Sequence, residues 1–326
     1  MTWREHLPAL PPGVLSVHVL PADHHEGPWD HIVAPAGLKQ RLLNQALLTL
    51  IHGRRLATLA GLPHGLLVLT GPPGTGKTTL ARGLAQQASR ALASQGATTY
   101  VEIDPHAFPS EMLGESQRNI TRLMTDTIPE LAARRPHTIV LVDELESLAV
   151  RRSTASFASN PVDVHRATDA LLAGIDGVAA DHPRVLFVAT TNFPDAVDEA
   201  FLSRADLVMR LGLPDRSTVA AILGHSLAEL ASLWPTLRPL ATDEALHDKL
   251  AGGCEGWDGR RVRKIVLAAL AQRIDVARDP GLLTADDLLA AVAGAGCQSA
   301  MGRGDAGSAT AAVGPDSSSP SPGSSS

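Results

Sequence analysis

The run Gly71-Pro72-Pro73-Gly74-Thr75-Gly76-Lys77-Thr78 constrains this chain more than any other stretch, because it meets GxxxxGK[ST] at every fixed position. Glycines there let backbone N–H groups turn inward around an oxyanion. The helix that follows offers its positive N-terminal end to the same anion. Such a loop works only between a buried strand and a helix, and the flanks supply both. Gly65-Leu66-Leu67-Val68-Leu69-Thr70 is a short apolar run, and Leu80, Leu84, Ala88 and Leu92 recur on one helical face. The stretch predicts a nucleoside triphosphate site. Gly71, Pro72, Pro73, Gly74, Thr75, Gly76 and Thr79 enclose the phosphates, Lys77 reaches the β- and γ-phosphates, and Thr78 offers its hydroxyl to Mg²⁺. ATP and Mg²⁺ are therefore the expected cofactors.

Two further strand ends complete the expectation. Ile139-Val140-Leu141-Val142 is apolar and delivers Asp143 and Glu144 to its carboxyl end, the edge where open parallel sheets bind ligands. Asp143 is suited to hold Mg²⁺ through its waters, and Glu144 to orient and polarise the attacking water. Glu146 reads as an ordinary acid at a helix start. Val185-Leu186-Phe187-Val188-Ala189 leads into Thr190-Thr191-Asn192. Asn192 there can hydrogen-bond both the water and the γ-phosphate. A single Asn after a strand is usually a turn residue, so this role depends on the other two motifs.

Apolar patterning predicts strands at 14–20, 65–70, 98–103, 138–142 and 184–189, and helices at 38–50, from 80, at 115–131 and at 163–175. Their alternation implies a parallel sheet covered on both faces. After Pro214 only helical patterns remain, with Asp243, Asp258 and Thr284 as N-caps. The expected fold class is α/β, a P-loop NTPase module with a parallel sheet flanked by helices, followed by a smaller all-helical lid. The expected division is a short N-terminal arm at 1–28, the nucleotide-binding unit at 29–213, the helical lid at 214–297 and a disordered Gly/Ser/Pro-rich tail at 298–326.

Composition narrows the partners. With 44% hydrophobic and 19% charged residues the balance is that of a globular protein. A net charge of −6 gives no basic footprint for nucleic acid, although Arg260, Arg261, Arg263 and Lys264 cluster locally. No apolar run approaches the ~20 residues that span a bilayer, and the first residues lack a secretory h-region. A cytoplasmic setting is expected, without a membrane partner. The two cysteines lie far apart, and the 13 histidines show no metal-ligand spacing and read as scattered surface residues.

With the three strand ends aligned, the chain resembles the AAA+ ATPases, and most closely the pachytene checkpoint protein branch, which remodels HORMA-domain proteins. Trp29-Asp30-His31-Ile32-Val33, the P-loop, Val142 to Leu148, Asp198 to Asp206 and Gly256 to Lys264 carry the likeness, which covers about residues 29–296. The Arg204-Ala205-Asp206 stretch points to this branch within the superfamily. The resemblance implies that Ile32 and Val33 pass the adenine. It makes Arg204 the arginine finger that reaches ATP on a neighbouring subunit, and Arg260 the lid arginine on the γ-phosphate, with Arg261 or Arg263 as alternatives. It places Met112 and Leu113 in a first pore loop and residues 151–161 in a second. Met112 stands where the family carries an aromatic residue, a departure that bears on substrate grip. The opening arm is too short for the adaptor-docking domain of the eukaryotic members, so the chain resembles the shorter bacterial ones associated with HORMA proteins and cyclic-nucleotide antiphage defence. The implied function is ATP-driven remodelling of a HORMA-domain protein by a homo-hexamer. A nucleotide-gated binding module, a protease-associated unfoldase and a DNA-directed loader are the alternatives.

Overall fold

The computed structural model describes residues 10–22, 29–30, 32–35, 37–58, 63–108, 115–147, 161–193, 195 and 197–304. Among these, six strands form one sheet: β1 Val14–Leu20, β2 Leu66–Thr70, β3 Thr98–Ile103, β4 His137–Val142, β5 Val185–Thr191 and β6 Leu207–Arg210, in the order β1-β3-β4-β5-β2-β6. All neighbours are parallel except β1 on β3. The sheet is thus mixed rather than wholly parallel. An antiparallel strand is tolerated at the edge because no covering crossover is needed there. The sequence reading missed β6, since of its four residues only Leu207 is buried and no apolar run announces it.

Residues of β2, β4 and β5 are buried on both faces, which is why they read as continuous apolar runs. Leu67, Leu69, Ile139, Leu141 and Leu186 face one layer, packed by Leu42, Leu50, Leu80 and Leu84 from α1 Leu38–Leu56 and α2 Lys77–Ala91. Val101, Val140, Val142 and Phe187 face the other, packed by Ile120, Leu131 and Leu171 from α3 Glu115–Arg122, α4 Ile128–Ala133 and α5 Pro161–Asp181. A π-helical turn, Leu123–Thr127, joins α3 to α4 where one uninterrupted helix was expected. Pro129 explains it: without an N–H it cannot donate to the Thr125 carbonyl, so the ladder shifts.

Beyond β6 the described chain is helical. Val219, Leu223, Leu250, Val262, Val266 and Leu288 build a third core. Its helices are α7 Arg216–Leu233, the short α8 Arg238–Thr242, α9 Glu244–Gly253, α10 Gly259–Leu270, the short α11 Ile274–Arg278 and α12 Ala285–Gly304. Asp243 and Asp258 cap α9 and α10 through the backbone N–H groups of Leu246 (2.9 Å) and Arg261 (3.0 Å). Thr284 and Asp287 bond reciprocally at the start of α12 as a capping box. That helix continues past 297, where the tail was expected to begin, because Gln298, Ser299, Ala300 and Met301 carry no helix breaker. The histidines are not all superficial: His137 and His247 are buried. No described helix is long and apolar enough to cross a membrane.

One carboxylate fastens the end of α6 Glu199–Ser203 to the sheet. Asp206 accepts from the backbone N–H groups of His64 (3.0 Å), Gly65 (2.8 Å) and Leu66 (3.3 Å). Burial is the largest influence on this carboxyl and raises its pKa, against the lowering effect of the three donors. Asp206→Ala orphans those donors and is expected to destabilise the protein by about 2–4 kcal/mol, read as a fall in the urea midpoint at unchanged m.

Candidate functional site

The strand order brings the three predicted strand ends together. β5 lies between β4 and β2, so the loops after all three open side by side at the carboxyl edge. Register sharpens this: Val142 pairs with Ala189 and Thr70 with Thr191. Asp143 therefore emerges beside Thr190.

The phosphate loop turns on glycine. Gly71, Gly74 and Gly76 have φ of 144°, 79° and 90°, conformations that L side chains rarely adopt. Lys77 is 5% exposed and its Nζ donates to the carbonyls of Gly71 and Pro72, each at 2.8 Å. Burial pulls this ammonium below the ordinary lysine value, opposed chiefly by the carboxylate of Glu146 and then by Asp143. Thr78 Oγ1 donates to Asp143 Oδ1 at 2.8 Å, and Thr190 Oγ1 donates to the same oxygen. Hydroxyl and carboxylate oxygens thus meet at one point, the donor set a hard cation takes. No group of three or more His, Cys, Asp or Glu side chains able to hold a metal exists among the described residues. A cation here would complete its shell with phosphate and water oxygens.

Glu144 is the only non-glycine described residue at positive φ, 53°, a conformation costing about 1–3 kcal/mol. The turn aims its side chain off the strand axis, toward solvent and His106, whose Nε2 lies 2.9 Å from Glu144 Oε2. Its backbone N–H donates to Thr190 Oγ1 at 3.2 Å. His106 was one of the histidines read as superficial. Nothing in its sequence neighbourhood marks it, because the contact spans 38 positions.

Glu146 is the residue the sequence reading undervalued. Its Oε1 accepts from both the backbone N–H and the Nδ2 of Asn192, at 3.1 and 3.2 Å, and its Oε2 is buried without a partner. Asn192 is therefore held by a carboxylate rather than standing free at a turn. A spacing of three after Asp143 was the available signal, but only the adjacency of β4 and β5 gives it meaning.

Above the loop lies a cavity of about 340 Å³ between the sheet unit and the helical unit. Ile32, Val33, Ile222 and Leu267 give it apolar walls, Gly74 to Gly76 its floor and Arg260, Arg263 and Lys264 a cationic rim. Ile32 belongs to the core of the sheet and Val33 packs on the helical core, so this pair bridges the two units. The start of α10 touches the loop directly. Arg260 N–H donates to Gly74 O at 3.2 Å, and the Asp258 carboxylate stands where a Gly74 Cβ would be. Among the three arginines weighed for this place, Arg261 stacks 3.8 Å over Trp257 and donates to Ala295 O, and Arg263 lies 3.7 Å from Glu229. Arg260 lines the cavity, as Arg263 also does, and makes no ion pair among the described residues.

Arg204 sits apart from this cluster. Its Nε and Nη2 fork onto Asp176 at 3.0 Å and Nη1 donates to Ala200 O at 2.9 Å. None of its described partners belongs to the 71–78 loop. Met112, Leu113 and residues 151–160 lie outside the described residues.

Residues 67–213 match the ATPase family associated with various cellular activities (AAA). CD-NTase-associated protein 6 of Pseudomonas aeruginosa is 42% identical over 283 residues, 87% of this chain and 92% of that protein. The pachytene checkpoint protein 2 homolog of Arabidopsis thaliana is 31% identical over 295 residues, 81% of this chain but only 63% of that longer protein. A chain in the solved E. coli MS115-1 HORMA:CdnC:Trip13 complex shares the fold, with a TM-score of 0.69 at 17% identity over 86% of this chain and 94% of that one.

Proposed function

The chain belongs to the AAA ATPases, with CD-NTase-associated protein 6 and the pachytene checkpoint protein 2 homologs among its relatives, and we propose that it couples ATP hydrolysis to the remodelling of a HORMA-domain protein. The observation that carries the ATPase half is the hydrogen-bonded set Thr78, Asp143, Thr190, Glu144, Glu146 and Asn192 at one sheet edge, with Lys77 beside it. The choice of partner rests on the relatives: the fold neighbour assembles with a HORMA protein. In this reading the protein regulates a nucleotidyltransferase-linked antiphage response in the cytoplasm, as a homo-hexamer.

Each side chain then has a task. Lys77 and the loop amides hold the β- and γ-phosphates. Thr78 and Asp143 would hold Mg²⁺, which when bound supplies neutralising charge on the transferred phosphoryl group. Glu144 orients and polarises the attacking water, and Asn192, fixed by Glu146, aligns that water with the γ-phosphate. Ile32 and Val33 flank the adenine, and Arg260 reports the γ-phosphate to the lid. Arg204 reaches the triphosphate of a neighbouring subunit. Met112 and Leu113 contact the substrate chain.

Glu146 can be separated from a merely structural acid. Glu146→Ala is expected to lower kcat roughly tenfold to a hundredfold, the worth of a charge-assisted hydrogen bond, with KM for ATP within about threefold. Glu146→Gln keeps an acceptor for Asn192 and should restore most of the rate. Steady-state phosphate release measures both. Equal losses in the two variants would remove the positioning role.

The partner is tested by mixing the purified chain with a HORMA-domain protein that holds a bound peptide. ATP should release the peptide, and phosphate release should rise several-fold. Intact ATPase with no effect on the HORMA protein would sink the remodelling half alone. Stimulation by DNA instead would favour a loader.

A further inference from the structure

At the opposite edge of the sheet from the phosphate loop, where β4 and β5 begin, lies a second pocket of about 210 Å³. Arg54 from the last turn of α1, Arg135, Thr138, Asp181, His182 and Arg184 line it. Arg54 and Arg184 make no ion pair and no side-chain hydrogen bond among the described residues. Arg135 Nη1 donates to Thr99 Oγ1 at 3.4 Å. Asp181 is the only acid among the described residues of the wall.

Unmatched polar atoms mark the same place. Thr138 is 1% exposed, yet its Oγ1 has no partner. Arg184 Nε is likewise buried and unpartnered. His137, one residue before Thr138 and therefore on the other face of β4, is not part of this wall; it is wholly buried with neither ring nitrogen bonded. Burial, and then the Arg184 charge, hold its pKa below the ordinary histidine value. A buried donor left unmatched costs about 1–3 kcal/mol, and Thr138 Oγ1 and Arg184 Nε bring two such donors to one wall.

We propose that this pocket binds a phosphate-type oxyanion, orthophosphate or a diphosphate, between the guanidinium groups of Arg54 and Arg184 and the hydroxyl of Thr138. Guanidinium forks match phosphate oxygens in pairs, and the Thr138 hydroxyl gains an acceptor. The last turns of α1, α4 and α5 also end here. Their partial negative charge, about half a unit each, accounts for arginines being stationed at the rim. It opposes an anion, and the paired, charge-assisted contacts of the two guanidinium groups are what must outweigh it. β4 and β5 run from this pocket to Asp143 and Asn192, so the ligand would sit roughly 16 Å from the carboxylates at the other end of β4.

The test uses the full chain carrying Lys77→Ala, which removes the main competing phosphate ligand. Orthophosphate and pyrophosphate are titrated separately by calorimetry. At least one should bind saturably with Kd below about 1 mM. Preference for orthophosphate would identify the hydrolysis product as its source, and preference for pyrophosphate a free diphosphate. Adding Arg54→Gln and Arg184→Gln should weaken that binding tenfold or more. Arg54 is exposed, so Arg54→Gln alone provides a variant that keeps the fold, checked by its melting temperature, and should weaken binding at least threefold. Absence of binding by both anions, or binding indifferent to both arginine changes, would overturn the proposal.

Discussion

Glu144→Gln should leave ATP bound and turnover lower by roughly a hundred- to ten-thousand-fold, the range that a positioned general base contributes. The substitution keeps the side chain's size and an oxygen for His106, which now lies 2.9 Å from Glu144 Oε2. It removes the charge that polarises water. Lys77, Thr78 and Asp143 are untouched, so a fluorescent ATP analogue should bind within about threefold of the parent affinity. Phosphate release measured beside that titration separates the two effects. Turnover within threefold of the parent would remove Glu144 from its role and leave its strained φ of 53° without a functional reason.

Arg204→Ala should lower turnover about a thousandfold or more, the effect of an arginine finger. Stability should hardly move. The ion pair it makes with Asp176 is partly exposed, with 29% and 42% of the two side chains accessible, and such pairs contribute about 0–1 kcal/mol. A dead but folded variant therefore locates the fault in chemistry. Mixing supplies the sharper result. Arg204→Ala and Glu144→Gln proteins, each inactive alone, should regain part of the activity together, because some interfaces then pair an intact Glu144 with an intact Arg204. No recovery on mixing, in rings shown to exchange subunits, would mean that Arg204 acts within its own chain or not at all. In the described protomer it reaches Asp176 and Ala200, so an acting Arg204 must exchange the Asp176 carboxylate for phosphate.

The parts of the site differ in how far they could be read along the chain. The phosphate loop was legible because its parts are consecutive: glycines at positive φ, a lysine and a hydroxyl must follow one another at the start of a helix. The Asp143-Glu144 pair was legible because an apolar run announces the strand that carries it. The caps Asp243, Asp258 and Thr284 were legible for the same local reason. Glu146 and His106 were not. Each acts on a residue 46 or 38 positions away, and an acid after a strand or a histidine in a turn has a commonplace local explanation. β6 escaped because pairing at a sheet edge needs little burial and leaves little pattern; β1 was legible as a strand at 14–20, but not its antiparallel direction.

What the residue order determined without help is the set of parts: a glycine-rich loop at a helix start, the Thr78 hydroxyl, the Asp143 and Glu144 carboxylates at a strand end, and a helical unit after the sheet. These depend on short-range backbone geometry and on apolar periodicity, both written in neighbouring residues. What only the tertiary structure decided is which groups meet. Placing β5 between β4 and β2 set Thr190 on Asp143 and Asn192 on Glu146, and packing α10 on the loop set Arg260 at the cavity with no ion pair among the described residues, while Arg263 on the same cavity pairs with Glu229. Hydrogen bonds and charges act over a few ångströms of space, and distance along the chain does not measure that space until the sheet has been ordered.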